Sequence, residues 1–379
     1  MQAVDLSDYQ PTTDLARAAT IPARWYVDPA FLTLERCHVF GATWQPVARS
    51  ADLREPGSFF ATDIVGEPVV LVRGKDGVLR AFANVCRHRA AAICQGHGSA
   101  ASLRCPYHGW TYALDGQLIG TPEFEGVENF DRHDVRLPQF RVTEWGPYVF
   151  VNRDPEAPAL EEVLGPIPQE CAGVGCDMNR LKLAERRDYV LNCNWKVYVD
   201  NYLEGYHLPA AHPGLFRELD YAQYRVDTFR YYSSQYAPIK ARKDAGEARR
   251  YNFSDENQNA LYYWIFPNFM LNVYPDNMSA NIILPVGHDK TLTIFEWFTY
   301  EGADGKAAAL DPETVKFSDE IQVEDIGICE AVQRGLQSST YTQGRFSVKR
   351  ENGVHHFQLL LHEYLTRSRN GAVSSESAR

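Results

Sequence analysis

Two groups of side chains in this 379-residue sequence have the types and spacing to hold metals. The first is Cys86-x-His88, followed after sixteen residues by Cys105-x-x-His108, both pairs in Gly- and Pro-containing surroundings. Two such tight loops can converge four soft or borderline ligands on one point. Zinc would take them as a tetrahedral Cys2His2 set; a [2Fe–2S] cluster would take the two cysteines on one iron and the two histidines on the other. Spacing alone leaves both open. His97, alone nearby, reads as an ordinary loop histidine.

The second group lies in NWKVYVDNYLEGYHLPAAH, residues 194–212. A helix from Trp195 to His207 would place Asp200, Glu204 and His207 at i, i+4 and i+7, on one face. Pro209 would then end it, which lets His212 turn back towards His207. In a continuous helix a spacing of five sets two side chains about 140° apart. Two histidines become an oxygen-activating iron site when a carboxylate completes a facial triad with open positions. The segment FSDEIQVEDIGICEAVQRGL, 317–336, offers candidates. On a helical projection Ile321, Ile328, Val332 and Leu336 form an apolar stripe with Asp325 inside it. Glu324 falls at its edge, and Asp319, Glu320 and Glu330 point away. A carboxylate in an inward stripe is expensive unless paired or metal-bound, so Asp325 is the expected third ligand.

These groups need elements to carry them. Residues 24–48 start with helical apolar spacing from Phe31 to Phe40. From about 45 to 152, short β-rich runs such as PVVLVRG, VLRAFANV, TYALDGQLIG and YVFVNR alternate with glycine turns, as in a small antiparallel module. The Pro-rich run DPEAPALEEVLGPIPQE at 154–170 reads as a linker or exposed connection. Beyond it, strands at 262–275, 279–287 and 290–300 and helices at 194–207 and 311–336 predict an α+β domain with helices on an antiparallel sheet. The polar tail 367–379 is expected to be disordered.

Bulk properties agree with a multidomain globular protein: 45 % hydrophobic and 12 % aromatic residues. The net charge of −11 gives no electrostatic basis for nucleic acid or anionic membranes. Eight cysteines over this length are too sparse for a disulfide scaffold and suit reduced thiols or metal ligands. No stretch reaches about 18 uninterrupted apolar residues, and the N-terminus lacks a signal-peptide pattern. A cytoplasmic protein is expected.

CRHR…CPYHGWTY…DG resembles the signature of Rieske domains in ring-hydroxylating oxygenases, with the ligands, their spacing, Pro106 and Gly109-Trp110 all in place. Many relatives have glycine where this chain has Ala90, a difference that bears on loop conformation. N-W-K followed by D-N and E-x-Y-H-x4-H is similar to the catalytic signature of Rieske non-haem iron oxygenase α subunits. The resemblance implies an N-terminal all-β Rieske [2Fe–2S] domain at 45–153, held by Cys86, His88, Cys105 and His108. A helix-grip catalytic domain with an antiparallel sheet would follow at 154–379, with residues 1–44 as a helical lead-in packed on it. Mononuclear Fe(II) would sit on His207, His212 and Asp325, with Asp200 supporting from behind. A head-to-tail homotrimer is also implied, in which Glu204 bridges His207 to the cluster ligand His108 of a neighbouring subunit.

The segments IFPNFMLNVYP, EDIGICEAVQRGLQS and GRFSVKRENGVHHFQLLLHEYL are similar to the choline, glycine betaine and carnitine oxygenase group. That implies O2-dependent hydroxylation or N-demethylation of a small quaternary ammonium compound. No G-x-G-x-x-G follows a strand, and Cys171-x4-Cys176 lacks a ferredoxin's third cysteine, so electrons from NAD(P)H must arrive through a separate flavin/iron–sulfur reductase. The aromatic residues at 262–274 could cage an ammonium or pack the sheet, and His355 and His356 could contact substrate or pack. An aromatic-ring or aromatic-acid hydroxylase is the second reading, and a non-catalytic electron carrier or zinc protein the third.

Overall fold

The short β runs pair as their alternation requires. In the computed structural model, which describes residues 4–238, 261–274, 277–302 and 305–367, residues 45–152 supply an antiparallel seven-stranded sheet. Glu67–Arg73 and Leu79–Ala83 lie near its middle, with Val69, Val70, Leu71 and Val72 fully buried. A three-stranded sheet made of Leu103–Arg104, Thr111–Tyr112 and Leu118–Gly120 stands beside it. The expected tail at 368–379 lies outside the described residues, as does Pro275.

The second large sheet has seven antiparallel strands in the order Leu181–Leu191, Thr291–Tyr300, Asn277–Pro285, Phe269–Val273, Leu261–Ile265, Tyr232–Tyr236 and Arg225–Thr228. The run expected as one strand at 262–275 is a hairpin, because Phe266-Pro267-Asn268 turns the chain between its two halves. A 25-residue helix, Pro312–Leu336, is capped by Asp311, whose side chain accepts from the Glu313 N–H. Helix Asn352–Thr366 and the N-terminal helix Pro29–His38 share a core with Trp195, Val199 and Trp297.

The 154–170 passage is not an exposed connection. It forms helices Leu160–Leu164 and Ile167–Gly173, with Leu160, Val163, Leu164, Ile167 and Cys171 buried against the second sheet's Ile265, Phe269 and Leu271. The prolines sit at starts and breaks, where helices accept them.

Helix Trp195–Tyr202 is anchored through buried polar contacts. Asn194 caps it by accepting from the Lys196 N–H at 3.0 Å and donates to the His288 carbonyl at 2.6 Å. Lys196 and Glu35 are both fully buried, and their Nζ and Oε1 atoms lie 2.5 Å apart. Trp195 Nε1 donates to the other carboxylate oxygen at 2.8 Å. Burial lowers the Lys196 pKa, with Glu35 acting in the opposite direction.

Candidate active site

The helix ends at Tyr202, five residues short of expectation. Glu204 and His207 therefore lie in the following turn and do not share a helical face with Asp200. Glu204 Oε2 accepts from the Tyr206 N–H and, at 3.2 Å, from the His207 N–H. A side chain that takes up these backbone donors competes with further helix. Pro209 does not end the helix: it sits in the first turn of a separate short one, Leu208–Ala211. That turn brings His212 back to His207, with ring centroids 5.0 Å apart.

Asp200 points elsewhere. Its oxygens accept from the Tyr26 hydroxyl at 2.5 Å and Gln358 Nε2 at 3.1 Å, and burial pushes its carboxyl up to about 7. Its visible contacts tie the N-terminal segment to the C-terminal helix rather than supporting either histidine.

Asp325 reaches the histidines from the long helix. Its Oδ1 lies 3.0 Å from His212 Nε2 and 3.9 Å from His207 Nε2. His207, His212 and Asp325 each offer a donor atom, all within 4.8 Å of one another. The helix's buried face runs through Val315, Gln322, Cys329, Gln333 and Leu336, whereas Val332, expected in the stripe, is exposed. Two glutamines hide this face from a hydropathy reading because their side-chain oxygens are used internally. Gln322 accepts from Tyr198 at 2.6 Å, and Gln333 accepts from the Asn194 N–H at 2.9 Å. Asp319 and Glu330 do point away from the histidines, accepting from Tyr189 and Asn192 respectively.

Glu324, Glu204 and Asn201 complete the surroundings. Glu324 Oε2 lies 2.6 Å from His212 Nδ1, and Glu204 Oε1 lies 2.5 Å from His207 Nδ1. Each carboxylate fixes the proton on Nδ1 and leaves an Nε2 lone pair facing Asp325, the arrangement that prepares histidine for a metal. Asn201 Nδ2 donates to Asp325 Oδ1 at 2.7 Å. Burial disfavours a protonated His212, but the Asp325 and Glu324 carboxylates outweigh it and raise the pKa. The sequence marks Glu324 only as a stripe-edge residue, since a projection of one helix carries no information about His212. Asn201 is the N of the D-N pair in the catalytic signature, where the sequence assigns it no role. Three convergent donors with this outer support fit a divalent iron.

The four cluster candidates also converge. Cys86 and Cys105 are buried, and their thiols interact directly. His88 and His108 rings are 4.7 Å apart, with Trp110 stacked 4.8 Å from His88. His88 Nδ1 is buried without a hydrogen-bond partner, a cost that a metal bond would remove. Ala90 sits at φ +59°, so the turn that presents Cys86 and His88 does ask for the left-handed backbone that glycine adopts freely. His97 is on the exposed edge strand His97–Ser99.

A cavity of about 170 Å³ opens onto the triad. From the 262–274 run only Tyr262, Asn272 and Tyr274 line it; Trp264, Phe266 and Phe269 are core. His355 is buried and bonds the Thr12 carbonyl at 2.7 Å, and neither it nor His356 lines this space.

A converged Cys2His2 loop pair on one β module and a two-histidine, one-carboxylate centre on a second sheet define an iron–sulfur-fed, oxygen-activating enzyme. The Rieske [2Fe–2S] domain family matches residues 43–131, and the ring hydroxylating alpha subunit (catalytic domain) family matches residues 178–367. The chain belongs to the Rieske non-haem iron oxygenase α subunits, and is an oxidoreductase with a [2Fe–2S] cluster and mononuclear iron as cofactors and O2 as co-substrate. It is 36 % identical over 371 residues to the chloroplastic choline monooxygenase of Arabidopsis thaliana, covering 95 % of this chain and 86 % of that one. The carnitine monooxygenase oxygenase subunit of Escherichia coli (strain K12) is 35 % identical over 356 residues, covering 91 % and 93 %. Among solved structures, the quaternary ammonium Rieske monooxygenase CntA in complex with its substrate L-carnitine superposes with a TM-score of 0.77. The identity is 30 %, covering 96 % of this chain and 99 % of that one. Among the described residues no helix is long and apolar enough to cross a membrane.

Proposed function

We propose that this chain oxidises a small quaternary ammonium compound of the choline, betaine or carnitine type. The cavity beside the triad carries the reading: Tyr202, Tyr224, Tyr262 and Trp297 line it together with the acids Glu204 and Asp325. Aromatic faces and carboxylates attract a cation that has no N–H to donate. The choline and carnitine monooxygenases at 35–36 % identity support the same class.

In this reading Cys86, His88, Cys105 and His108 hold the cluster, and His207, His212 and Asp325 hold the iron. The chain divides near residue 153 into the two corresponding domains. When bound, the two centres supply one-electron transfer and O2 activation. The aromatic wall orients an N-methyl or adjacent C–H towards the triad, while Glu204 and Glu324 keep both imidazoles in their Nε2-facing tautomer. For an N-methyl group, O2, two electrons and two protons yield a cationic carbinolamine and water; loss of its hydroxyl proton then releases formaldehyde and a tertiary amine. A carbon without that exit would keep its alcohol. His108 is exposed, which suits an inter-subunit route from His108 through Glu204 to His207 in a homotrimer, with a separate reductase delivering electrons from NAD(P)H.

Turnover with a compatible reductase and choline, glycine betaine, carnitine and aromatic acids tests the class. Substrate-dependent O2 uptake with an ammonium compound is expected. Ring hydroxylation of an aromatic acid, with no ammonium compound consumed, would replace this reading with the hydroxylase one.

The cluster assignment predicts a measurable potential. Tyr112 Oη accepts from the Arg87 N–H at 2.9 Å, which leaves its own proton for Cys86 Sγ at 3.4 Å. Hydrogen bonds to cluster sulfurs raise the reduction potential. Tyr112→Phe is expected to lower it by roughly 40 mV, equivalent to about 1 kcal/mol for a one-electron couple. A spectroscopic redox titration checks this, and an unchanged midpoint would remove Tyr112 from the cluster's hydrogen bonding.

A further inference from the structure

The cavity wall opposite the long helix is polar in an ordered way. Asn272 and Ser279 are directly paired across adjacent strands, and Asn281 stands two residues beyond Ser279 on the same face. All three line the cavity and are more than nine-tenths buried. Buried amides and hydroxyls are costly unless their hydrogen bonds are used, so the use of each atom is informative.

A chain of donors runs through them. The Tyr202 hydroxyl donates to Asn272 Oδ1 at 2.9 Å. That orientation turns Asn272 Nδ2 outward, where its two protons go to Ser279 Oγ and Asn281 Oδ1, each at 3.1 Å. With their acceptor atoms engaged, Ser279 retains its hydroxyl proton and Asn281 its NH2 group. Neither has a hydrogen-bond acceptor among the described residues. The neighbouring strand places Trp297 opposite Ser279 and Phe295 opposite Asn281, and both rings line the same cavity. Two fixed donors are thus presented on the wall that also carries the Phe295 and Trp297 rings, in a space shared with the acids of the iron site and with the polar side chains of Gln235, Thr314, Ser318 and Gln322.

We propose that Ser279 Oγ–H and Asn281 Nδ2–H, oriented by Tyr202 and Asn272, are the specificity donors that hydrogen-bond an oxygen of the substrate. The inference rests on the preceding one in placing the substrate in this cavity. The ammonium end is selected by rings and carboxylates; the oxygen end, hydroxyl or carboxylate, is selected by this pair. Tyr202 and Asn272 are positioning residues, since their hydrogen-bonding atoms are occupied by one another and by the wall.

The test is equilibrium binding of choline, glycine betaine and the oxygen-free isostere propyltrimethylammonium to the iron-loaded protein under anaerobic conditions. Thermal midpoints confirm that each variant is folded. Wild-type protein is expected to bind at least one oxygen-bearing ligand about tenfold or more tighter than the isostere. Ser279→Ala should reduce that preference about tenfold while leaving the isostere's affinity unchanged. Asn281→Asp keeps the acceptor for Asn272 but exchanges the free donor for a carboxylate oxygen. It should therefore repel glycine betaine by more than tenfold, yet retain choline, whose hydroxyl can donate to it. A preference for choline over betaine in the wild type, with this variant retaining choline, identifies a hydroxyl as the natural partner; the opposite identifies a carboxylate. Equal losses for all three ligands, or an unchanged preference in Ser279→Ala, overturn the proposal. If no ammonium compound binds wild-type protein, the quaternary ammonium reading fails. The same two variants are then compared on benzoate against toluene, where an unchanged preference for benzoate overturns the donor pair.

Discussion

Glu204→Gln is expected to reduce turnover by a factor of 100 or more while cluster reduction proceeds at its wild-type rate. Glu204 accepts three hydrogen bonds: from the Tyr206 and His207 backbone N–H groups and from His207 Nδ1. Glutamine has one acceptor oxygen. Either its NH2 meets the His207 Nδ1–H, or it meets the two backbone donors. The first outcome forces His207 into the wrong tautomer, and the second loosens the turn. Removing one positioned acid–base group typically costs 10²–10⁴ in rate, and the bridge proposed here would also lose its charge. Because carboxylates behind metal-binding histidines contribute about 10–100-fold in metal affinity, the comparison is made at saturating Fe(II). Single-turnover absorbance separates cluster reduction from substrate oxidation, and iron analysis reports loading. Both sites loaded with a slow second phase is the expected result. Iron lost even at saturation would make Glu204 a structural support of His207 and nothing more.

The largest stability effect is expected at Glu35, which neither lines the cavity nor belongs to the triad. Removing one partner of a buried ion pair costs about 3–5 kcal/mol, against a total stability of about 5–15 kcal/mol for a typical domain. In Glu35→Gln the fully buried Lys196 loses its counter-charge, and an NH2 that cannot accept replaces one of the two carboxylate oxygens that serve Lys196 Nζ and Trp195 Nε1. A denaturant midpoint measures the loss. The pH dependence has a definite sign. Burial already lowers the Lys196 pKa, and without Glu35 it falls further. The unfolded chain then binds the extra proton, so the variant regains stability as pH rises. Pairing the change with Lys196→Met should recover much of the loss, because no buried charge is then left without a partner and the new amide oxygen can serve Trp195 Nε1. A loss below about 1 kcal/mol in the single variant would show that water or another group reaches Lys196.

The parts legible in the sequence were those in which residue chemistry is unusual for its surroundings. The two Cys/His pairs, both histidines after Trp195 and the inward Asp325 were selected on that ground, and the structure brings each set together. The path between them was less legible. A helical face through Asp200, Glu204 and His207 was a sound inference from spacing, but Glu204 bonds the backbone ahead of it and the helix stops at Tyr202. The inward stripe of the long helix was misplaced because Gln322 and Gln333 are buried through hydrogen bonds that hydropathy does not register. Leu160, Val163, Leu164, Ile167 and Cys171 carried a helical pattern all along, and the four prolines at 155–168 obscured it. Tertiary partners such as Glu324 for His212 have no local signature at all.

That last pairing limits how this part of the chain can vary. Consecutive residues of one helix grip opposite ends of a single imidazole, Glu324 at Nδ1 and Asp325 at Nε2. Adding or deleting one residue ahead of them rotates both by about 100° and removes both contacts together. The segment can accept many substitutions on its outer face, but it has almost no tolerance for a change in length, whereas the surface turns of the same sheet have no such constraint.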